Sequence, residues 1–343
     1  MVERRPLPGA THAMAETARN KQSANISPVA HEVAQKLFRA VSVALSGKPD
    51  VVERSVITLL ARGHLLIEDV PGVGKTTLAR ALARALGTEF RRVQCTSDLM
   101  PSELLGVNVY NASERRFEFR PGPVFTHFLV ADEINRATPK TQSALLEVMS
   151  ERQVSIDGVT HLLEEPFAVI ATQNPDDAAG TYPLPESQLD RFLLRTAVGY
   201  PAAAVEKQIL STRGGTEPVD TIEAVLTLAQ LVAAQREVDA VALEASVVDY
   251  AYALVSATRS HEQVAVGVST RGALAFIRAA KARAIVKGRA YVIPDDLSEL
   301  AVPVLAHRVR VQGADPGLLP GDARRNDAER IVHEIVQRVD VPI

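Results

Sequence analysis

Tryptophan is absent from this 343-residue chain, cysteine occurs once, and aromatic residues make up only 4% of it. With so few aromatic faces, stacking platforms for single-stranded nucleic acid are not its main feature. The single cysteine, Cys95, allows no intrachain disulfide framework and fits a reducing compartment. A free cysteine of this kind, directly after an apolar strand, reads as a buried inert thiol rather than a nucleophile. No apolar run approaches the ~18 residues that a membrane span needs. Residues 1–27 lack the apolar core of a secretory signal. These absences lead to the expectation of a soluble, cytoplasmic protein with no membrane span. Neither sign of charge dominates: Lys+Arg 38 against Asp+Glu 41 leaves a formal charge of -3. That balance argues against a generally basic nucleic-acid binder and leaves only a local basic stripe open. The histidines are scattered without metal-ligand spacing, so no zinc site is expected.

What is present is an ordinary globular composition, 46% hydrophobic and 23% charged. At roughly 150 residues per domain, the length suggests two domains. Residues 1–27 carry no apolar period and read as a flexible N-terminal tail. From Val29 onward, Val33, Leu37, Val41 and Leu45 recur every four residues, the stripe of an amphipathic helix. Strand-like runs then alternate with helical ones: His64–Val70, Phe90–Cys95, Phe125–Ala131, Phe167–Thr172 and Phe192–Val198. Such alternation predicts an α/β fold with a mostly parallel sheet covered on both faces. Beyond Tyr200-Pro201 helical patterns dominate, at 202–211, 221–235, 244–258, 270–286 and 294–308. Residues 310–325 read as a loop before a short last helix. The expected organisation is therefore a tail over 1–27, an α/β core over 28–200 and an all-α second domain over 201–343.

The strongest chemical signal is Asp69-Val70-Pro71-Gly72-Val73-Gly74-Lys75-Thr76-Thr77, placed between a strand and a helix. Glycines let the backbone curl so that its N–H groups face phosphate oxygens, and the helix N-terminus adds positive potential. Lys75 would reach the β and γ phosphates of ATP, and the Thr76 hydroxyl would take a place on Mg²⁺. The pattern ordinarily has glycine where this chain has Asp69, a carboxylate that could weaken nucleotide binding.

A second strand delivers Asp132 and Glu133 at its carboxyl end, where ligands of open α/β sheets sit. Asp132 suits a hold on Mg²⁺, and Glu133 suits polarising an attacking water. Glu133 alone reads equally as an N-terminal charge on the next helix. A third strand runs into Thr172-Gln173-Asn174-Pro175. The Asn174 amide can donate and accept at once and so orient a water, or it is a turn residue ahead of Pro175.

The order of these motifs resembles the MoxR family of AAA+ ATPases. So do Gly122-Pro123-Val124-Phe125, Asp132-Glu133-Ile134-Asn135-Arg136-Ala137, and the run from Tyr182 to Phe192. The resemblance covers about residues 45–310. It implies an AAA+ P-loop core with an all-α lid, ATP hydrolysis with Mg²⁺, and chaperone-like remodelling or maturation of a partner. It implies Walker A roles for Lys75 and Thr76, Walker B roles for Asp132 and Glu133, and a sensor 1 role for Asn174. Arg191 resembles the arginine finger that reaches a neighbouring subunit, and Arg271 resembles sensor 2, with Thr270 a mild departure. On the residues alone, Arg191 also reads as a surface partner for Asp190, and Arg271 as a helix N-terminal charge. Residues 98–123 resemble the family's helix-2 insert, and residues 152–165, with a turn at Asp157-Gly158, its pre-sensor hairpin. Both would face the pore of a ring, or are ordinary solvent-facing segments.

Implied partners are further copies of the chain in a hexameric ring, a von Willebrand factor A domain protein and an unidentified client protein. Two other readings stand beside this one. The first is a magnesium-chelatase-like or helicase-like AAA+ subunit, for which Arg115, Arg116 and Arg120 would supply a basic pore. The second is a weakly hydrolysing, nucleotide-dependent scaffold.

Overall fold

A computed structural model describes residues 28–69, 73–174, 180–212, 217–313 and 321–342. The tail expected over 1–27 lies outside the described residues. The chain enters through helices α1 (Pro28–Ala44) and α2 (Pro49–Leu60). Val33, Leu37, Val41 and Leu45 of the predicted stripe are buried, whereas Val29 is 41% exposed and Ala30 takes the inward position instead.

Five strands form the central parallel sheet: β1 (Leu65–Glu68), β2 (Phe90–Gln94), β5 (Phe128–Asp132), β8 (Ala168–Gln173) and β9 (Leu194–Thr196). Their spatial order is β2-β5-β8-β1-β9. β1, β5 and the first five residues of β8 are buried, as a sheet covered on both faces requires. Side chains alternate between the faces. Leu65, Ile67, Phe128, Val130 and Ile170 join one hydrophobic cluster with α1, α2 and the C-terminal helices. Leu66, Leu129, Ala131, Val169 and Ala171 join the other. The second cluster is closed by α5 (Pro139–Glu151), through Leu145, Leu146, Val148 and Met149.

The predicted strand over Phe125–Ala131 begins only at Phe128. Residues 122–126 are taken up by turn bonds, including Phe125 N–H to the Gly122 carbonyl. Two antiparallel hairpins project from the connections. One pairs β3 (Gly106–Asn111) with β4 (Arg116–Pro121), following the short helix α4 (Pro101–Leu105); the other pairs β6 (Gln153–Ile156) with β7 (Val159–Leu162). Asp157 and Gly158 have φ of 51° and 81°, the paired positive values of a primed two-residue turn. The hairpins touch each other. Asn108 Nδ2 donates to Asp157 Oδ2 at 2.7 Å, and Phe119 stacks on His161 with centroids 3.9 Å apart.

After the short helix α6 (Glu186–Leu189) and β9 come α7 (Ala203–Thr212), α8 (Leu228–Asp239), α9 (Ala245–Ser260), α10 (Thr270–Val286), α11 (Pro294–Leu305) and α12 (Gly321–Arg338). The helix expected from 221 starts at Leu228, because Val225 and Leu226 N–H groups are spent on the Ala85 carbonyl and Thr227 forms a capping box with Gln230. The last helix starts at Gly321, inside the expected loop, and runs for 18 residues. The helical lid also carries a short antiparallel pair, β10 (Val264–Val266) with β11 (Arg310–Val311). Helices α1 and α2 pack on the lid as well as on the sheet. Gln235 Nε2 reaches the Leu59 carbonyl at 2.7 Å, and a His31 ring nitrogen lies 2.9 Å from the Ile285 carbonyl.

His64, just before β1, is buried. Its Nδ1 accepts from Val169 N–H at 3.0 Å, which leaves Nε2 to donate to the Met149 carbonyl at 3.0 Å. Burial, with Arg152 and Arg278 adding to it, pushes its pKa from 6.5 to about 4. Between these values the unfolded chain binds the proton that the folded one refuses, so stability is complete above 6.5 and falls as pH drops toward 4. The loss is up to about 3 kcal/mol from this residue. Urea unfolding at a series of pH values is expected to show that fall, and His64→Gln should flatten it while lowering stability at neutral pH.

Candidate functional site

The sheet registers decide which polar residues meet. Gln94 pairs with Asp132, and Glu68 pairs with Gln173, so the strands carry their polar ends to one edge of the sheet. Helix α3 (Lys75–Ala85) starts at the same edge. Val70, Pro71 and Gly72 of the predicted loop lie outside the described residues. Gly74 caps α3 with φ 99°, and a Cβ there would meet nothing within 4 Å, so it is the backbone angle that favours glycine. Lys75 Nζ donates to the Asp69 carbonyl at 2.6 Å, which ties the two ends of the loop. Burial lowers the pKa of the Lys75 ammonium, while Asp69, Asp132 and Glu133 pull it upward. Thr76 and Thr77 are half-buried in the first turn of the helix.

Asp132 ends β5. Its Oδ2 accepts from Arg92 Nε at 2.5 Å and its Oδ1 from Thr172 Oγ1 at 3.2 Å. Glu133 follows in the left-handed region with φ 57° and ψ 51°. That conformation costs a non-glycine residue ~1–2 kcal/mol and persists only when its surroundings fix it. Here Glu133 N–H donates to Thr172 Oγ1 at 2.9 Å. Its Oε2 accepts from Gln94 Nε2 and Arg136 Nε, each at 3.0 Å. The Thr172 hydroxyl thus bridges the two acidic residues, donating to one and accepting from the next. Cys95, whose N–H bonds the Asp132 carbonyl, is buried; burial and the two nearby carboxylates push its thiol up to about 12. It stays protonated and takes no nucleophilic part.

Asn174 follows β8, and its carbonyl accepts from Asn135 Nδ2 at 3.3 Å. Arg191 has no ion pair with Asp190. Its Nη1 donates to the Leu146 carbonyl at 2.6 Å and to Ser150 Oγ, both on α5. Its Nε is buried without a partner among the described residues. Asp190 is held by the lid instead. It accepts from Arg308 Nε at 2.7 Å and from Ser269 Oγ, the cap of α10, at 3.0 Å. Arg271, second residue of α10, is exposed, and its guanidinium has no hydrogen-bond or ion-pair partner among the described residues.

The structure therefore gathers Asp69, Lys75, Asp132, Glu133 and the start of α3, and leaves Arg191 and Arg271 outside that cluster. Sequence reasoning missed Arg92, Gln94 and Thr172. The first two stand on an edge strand whose alternation is too irregular to assign a face. Thr172 lay inside a quoted motif, yet as a strand residue it gave no sign of a bridging role.

The residues present suit a magnesium nucleotide. An ammonium and helix-terminal N–H groups meet phosphate oxygens, and a carboxylate with a threonine hydroxyl offers the hard oxygen donors that Mg²⁺ takes. The fold and this edge define a P-loop ATPase of the AAA class. Residues 64–194 match the ATPase family associated with various cellular activities (AAA), and residues 256–335 match the AAA lid domain. The chain belongs to the MoxR family of AAA+ ATPases. It is 40% identical over 323 residues to Chaperone MoxR1 of Mycobacterium tuberculosis, covering 91% of this chain and 83% of that protein. Identity to Protein MoxR of Methylorubrum extorquens is 33% over 304 residues, covering 81% and 88%. Protein YeaC of Bacillus subtilis is 45% identical over 315 residues, covering 91% and 96%. A crystal structure of a protein from Cytophaga hutchinsonii, 32% identical, superposes with a TM-score of 0.80 over 96% of this chain and 99% of that one. No described helix is long and apolar enough to cross a membrane.

Thr172→Val removes the hydroxyl and leaves Glu133 N–H and Asp132 Oδ1 each short of a partner. The expected loss is about 1–3 kcal/mol in denaturant unfolding, with Thr172→Ser recovering most of it.

Proposed function

We propose that this chain hydrolyses ATP to ADP and phosphate with Mg²⁺, and uses the free energy to remodel or mature a partner protein. The observation that carries the reading is the meeting of Lys75, Asp132 and Glu133 at the strand ends beside the start of α3. Lys75 would exchange its bond with the Asp69 carbonyl for the β and γ phosphates. Thr76 and Asp132 would hold the metal, which when bound offsets phosphate charge. Glu133 would orient the attacking water and take its proton, with Gln94 and Arg136 fixing the carboxylate. Asn174 would hold the same water from β8.

Arg271, exposed at the start of α10, is the candidate cation from the lid. Arg191 would serve a neighbouring copy's site, leaving its contacts on α5. This requires a homo-oligomer, and we propose a hexameric ring in the cytoplasm with its core over 28–200 and its lid over 201–343. The two joined hairpins would line the pore, where Phe117 is 70% and Leu162 75% exposed, and meet a client protein. A von Willebrand factor A domain protein is the proposed adaptor. The name of the mycobacterial relative, a chaperone, supports the remodelling role and is silent on the adaptor. The nucleic-acid alternative is weakened because Arg116 is already paired with Glu114 at 2.5 Å and Glu118 at 3.4 Å.

Lys75→Ala is expected to lose nucleotide binding in a fluorescent-analogue titration. Glu133→Gln should bind but lose about 10²-fold or more in turnover. Arg191→Ala should bind yet lose ~10³-fold, and mixing it with Glu133→Gln protein should restore part of the rate. An intact mixed ring with no recovery would remove Arg191 from the finger role.

A further inference from the structure

The position that departs from the phosphate-loop pattern makes contacts that a glycine could not. Asp69 is only 9% exposed, and its Oδ2 accepts two backbone N–H groups, from Val198 at 2.6 Å and Gly199 at 2.5 Å. Those two residues begin the linker between β9 and the lid. A carboxylate accepting two N–H bonds away from bulk water is among the stronger hydrogen-bond arrangements available to a side chain. The same residue's carbonyl accepts from Lys75 Nζ, and its N–H donates to the Gln173 carbonyl at 3.1 Å. Gly199 sits at φ 64°, and the linker is pinned on its other side by Lys48 Nζ on the Tyr200 carbonyl at 2.7 Å.

The residue before it repeats the theme. Glu68 pairs with Arg195 at 3.2 Å and stands 3.9 Å from Arg325, and both arginines pair with Glu329 of α12 at 3.0 Å. The end of β1 is therefore bound to the lid at two places, the entry linker and the last helix. Neither the linker nor α12 contributes a residue to the cluster of Lys75, Asp132 and Glu133.

We propose that Asp69 is a positioning residue that couples the phosphate loop to the lid. Its carboxylate straps the loop to Val198 and Gly199, so that a triphosphate drawing Lys75 off the Asp69 carbonyl displaces the linker. The carboxylate that looked like a liability for phosphate binding faces the linker amides, and its function is to transmit the loop's state. This inference rests on the nucleotide reading above, and the experiment separates the two.

Cysteines at two exposed positions, Glu89 on the core and Asp249 on the lid, accept a donor and acceptor dye pair; Cys95, buried and protonated, stays unlabelled. Doubly labelled protein is diluted into excess unlabelled protein so that only intrachain transfer is read. A non-hydrolysable ATP analogue with Mg²⁺ is added to saturation for each variant. The expected result is a transfer change in the otherwise native chain, its loss in Asp69→Ala, and its recovery in Asp69→Asn, which keeps an acceptor oxygen. A full change in Asp69→Ala overturns the strap. So does a native chain that binds the analogue with no change in transfer. A native chain that binds no nucleotide brings down the nucleotide reading, and the strap with it. Hydrogen exchange on the native chain guards against a variant that fails to fold. The peptide holding Val198 and Gly199 is expected to change protection when the analogue binds, and unchanged protection also overturns the proposal.

Discussion

Parallel pairing of β5 with β8 in one register fixes where charge can sit in this molecule. Val130 stands opposite Ile170 and Ala131 opposite Ala171, so that Asp132 and Thr172 come one step later, at the end of the buried stretch. Side chains alternate faces with a period of two, and a slip of one residue would draw Asp132 into the buried stretch and exchange the residues fitted to the two apolar layers. The apolar layers on both sides forbid that slip. Burial therefore specifies the geometry of the acidic pair, although neither acid contributes to the core. Thr172 is the residue in which the two requirements meet: its backbone belongs to the buried strand and its hydroxyl joins Asp132 to Glu133.

A second constraint lies at the seam between sheet and lid. Arg308 is almost wholly buried, and burial lowers its pKa while Asp190 opposes the shift. An arginine inside protein is tolerable only when its donors are met, because an unpaired buried charge costs several kcal/mol. Asp190 and the carbonyls of Phe192 and Leu193 meet them. His307 beside it is held neutral, its pKa pushed down first by burial and then by Arg308 and Arg195. The segment that carries Arg191 is thus clamped by the lid on one side and by α5 on the other.

Much of this architecture was legible in the sequence because it rests on periodicity. The buried strands, the helix after Gly74 and the Asp157-Gly158 hairpin each follow from local pattern and turn chemistry, and each is present. The misplaced boundaries have tertiary causes. The helix expected at 221 is delayed because the carbonyl of Ala85, on another element, claims the amides of Val225 and Leu226. The contacts of Asp69 were invisible for the same reason: the pattern marks it as an oddity in a loop, and only the fold brings residues 198 and 199 to it. Arg92 and Gln94 show the limit from the other side. An edge strand half open to water carries no clean alternation, so nothing in its sequence says which side chains reach the next strand's carboxylates.

Helix α5 ties these parts together. It follows the turn that holds Glu133, with Gln142 Nε2 donating back to the Ile134 carbonyl at 3.2 Å in that turn. Near its other end it takes the guanidinium of Arg191 on Leu146 and Ser150, and its Met149 carbonyl accepts from His64. The β6–β7 hairpin starts directly after it, and through Asn108–Asp157 and the Phe119–His161 stack that hairpin carries β3–β4 with it. A helix of 13 residues is stiff over its ~20 Å length compared with the turns at its ends. The same 13 residues therefore touch the Glu133 turn at one end and Arg191 and the base of the hairpin that carries exposed Leu162 at the other. The acidic turn, the Arg191 guanidinium and the start of the β6–β7 hairpin all meet this one helix, so a substitution in any of them changes packing that the others share.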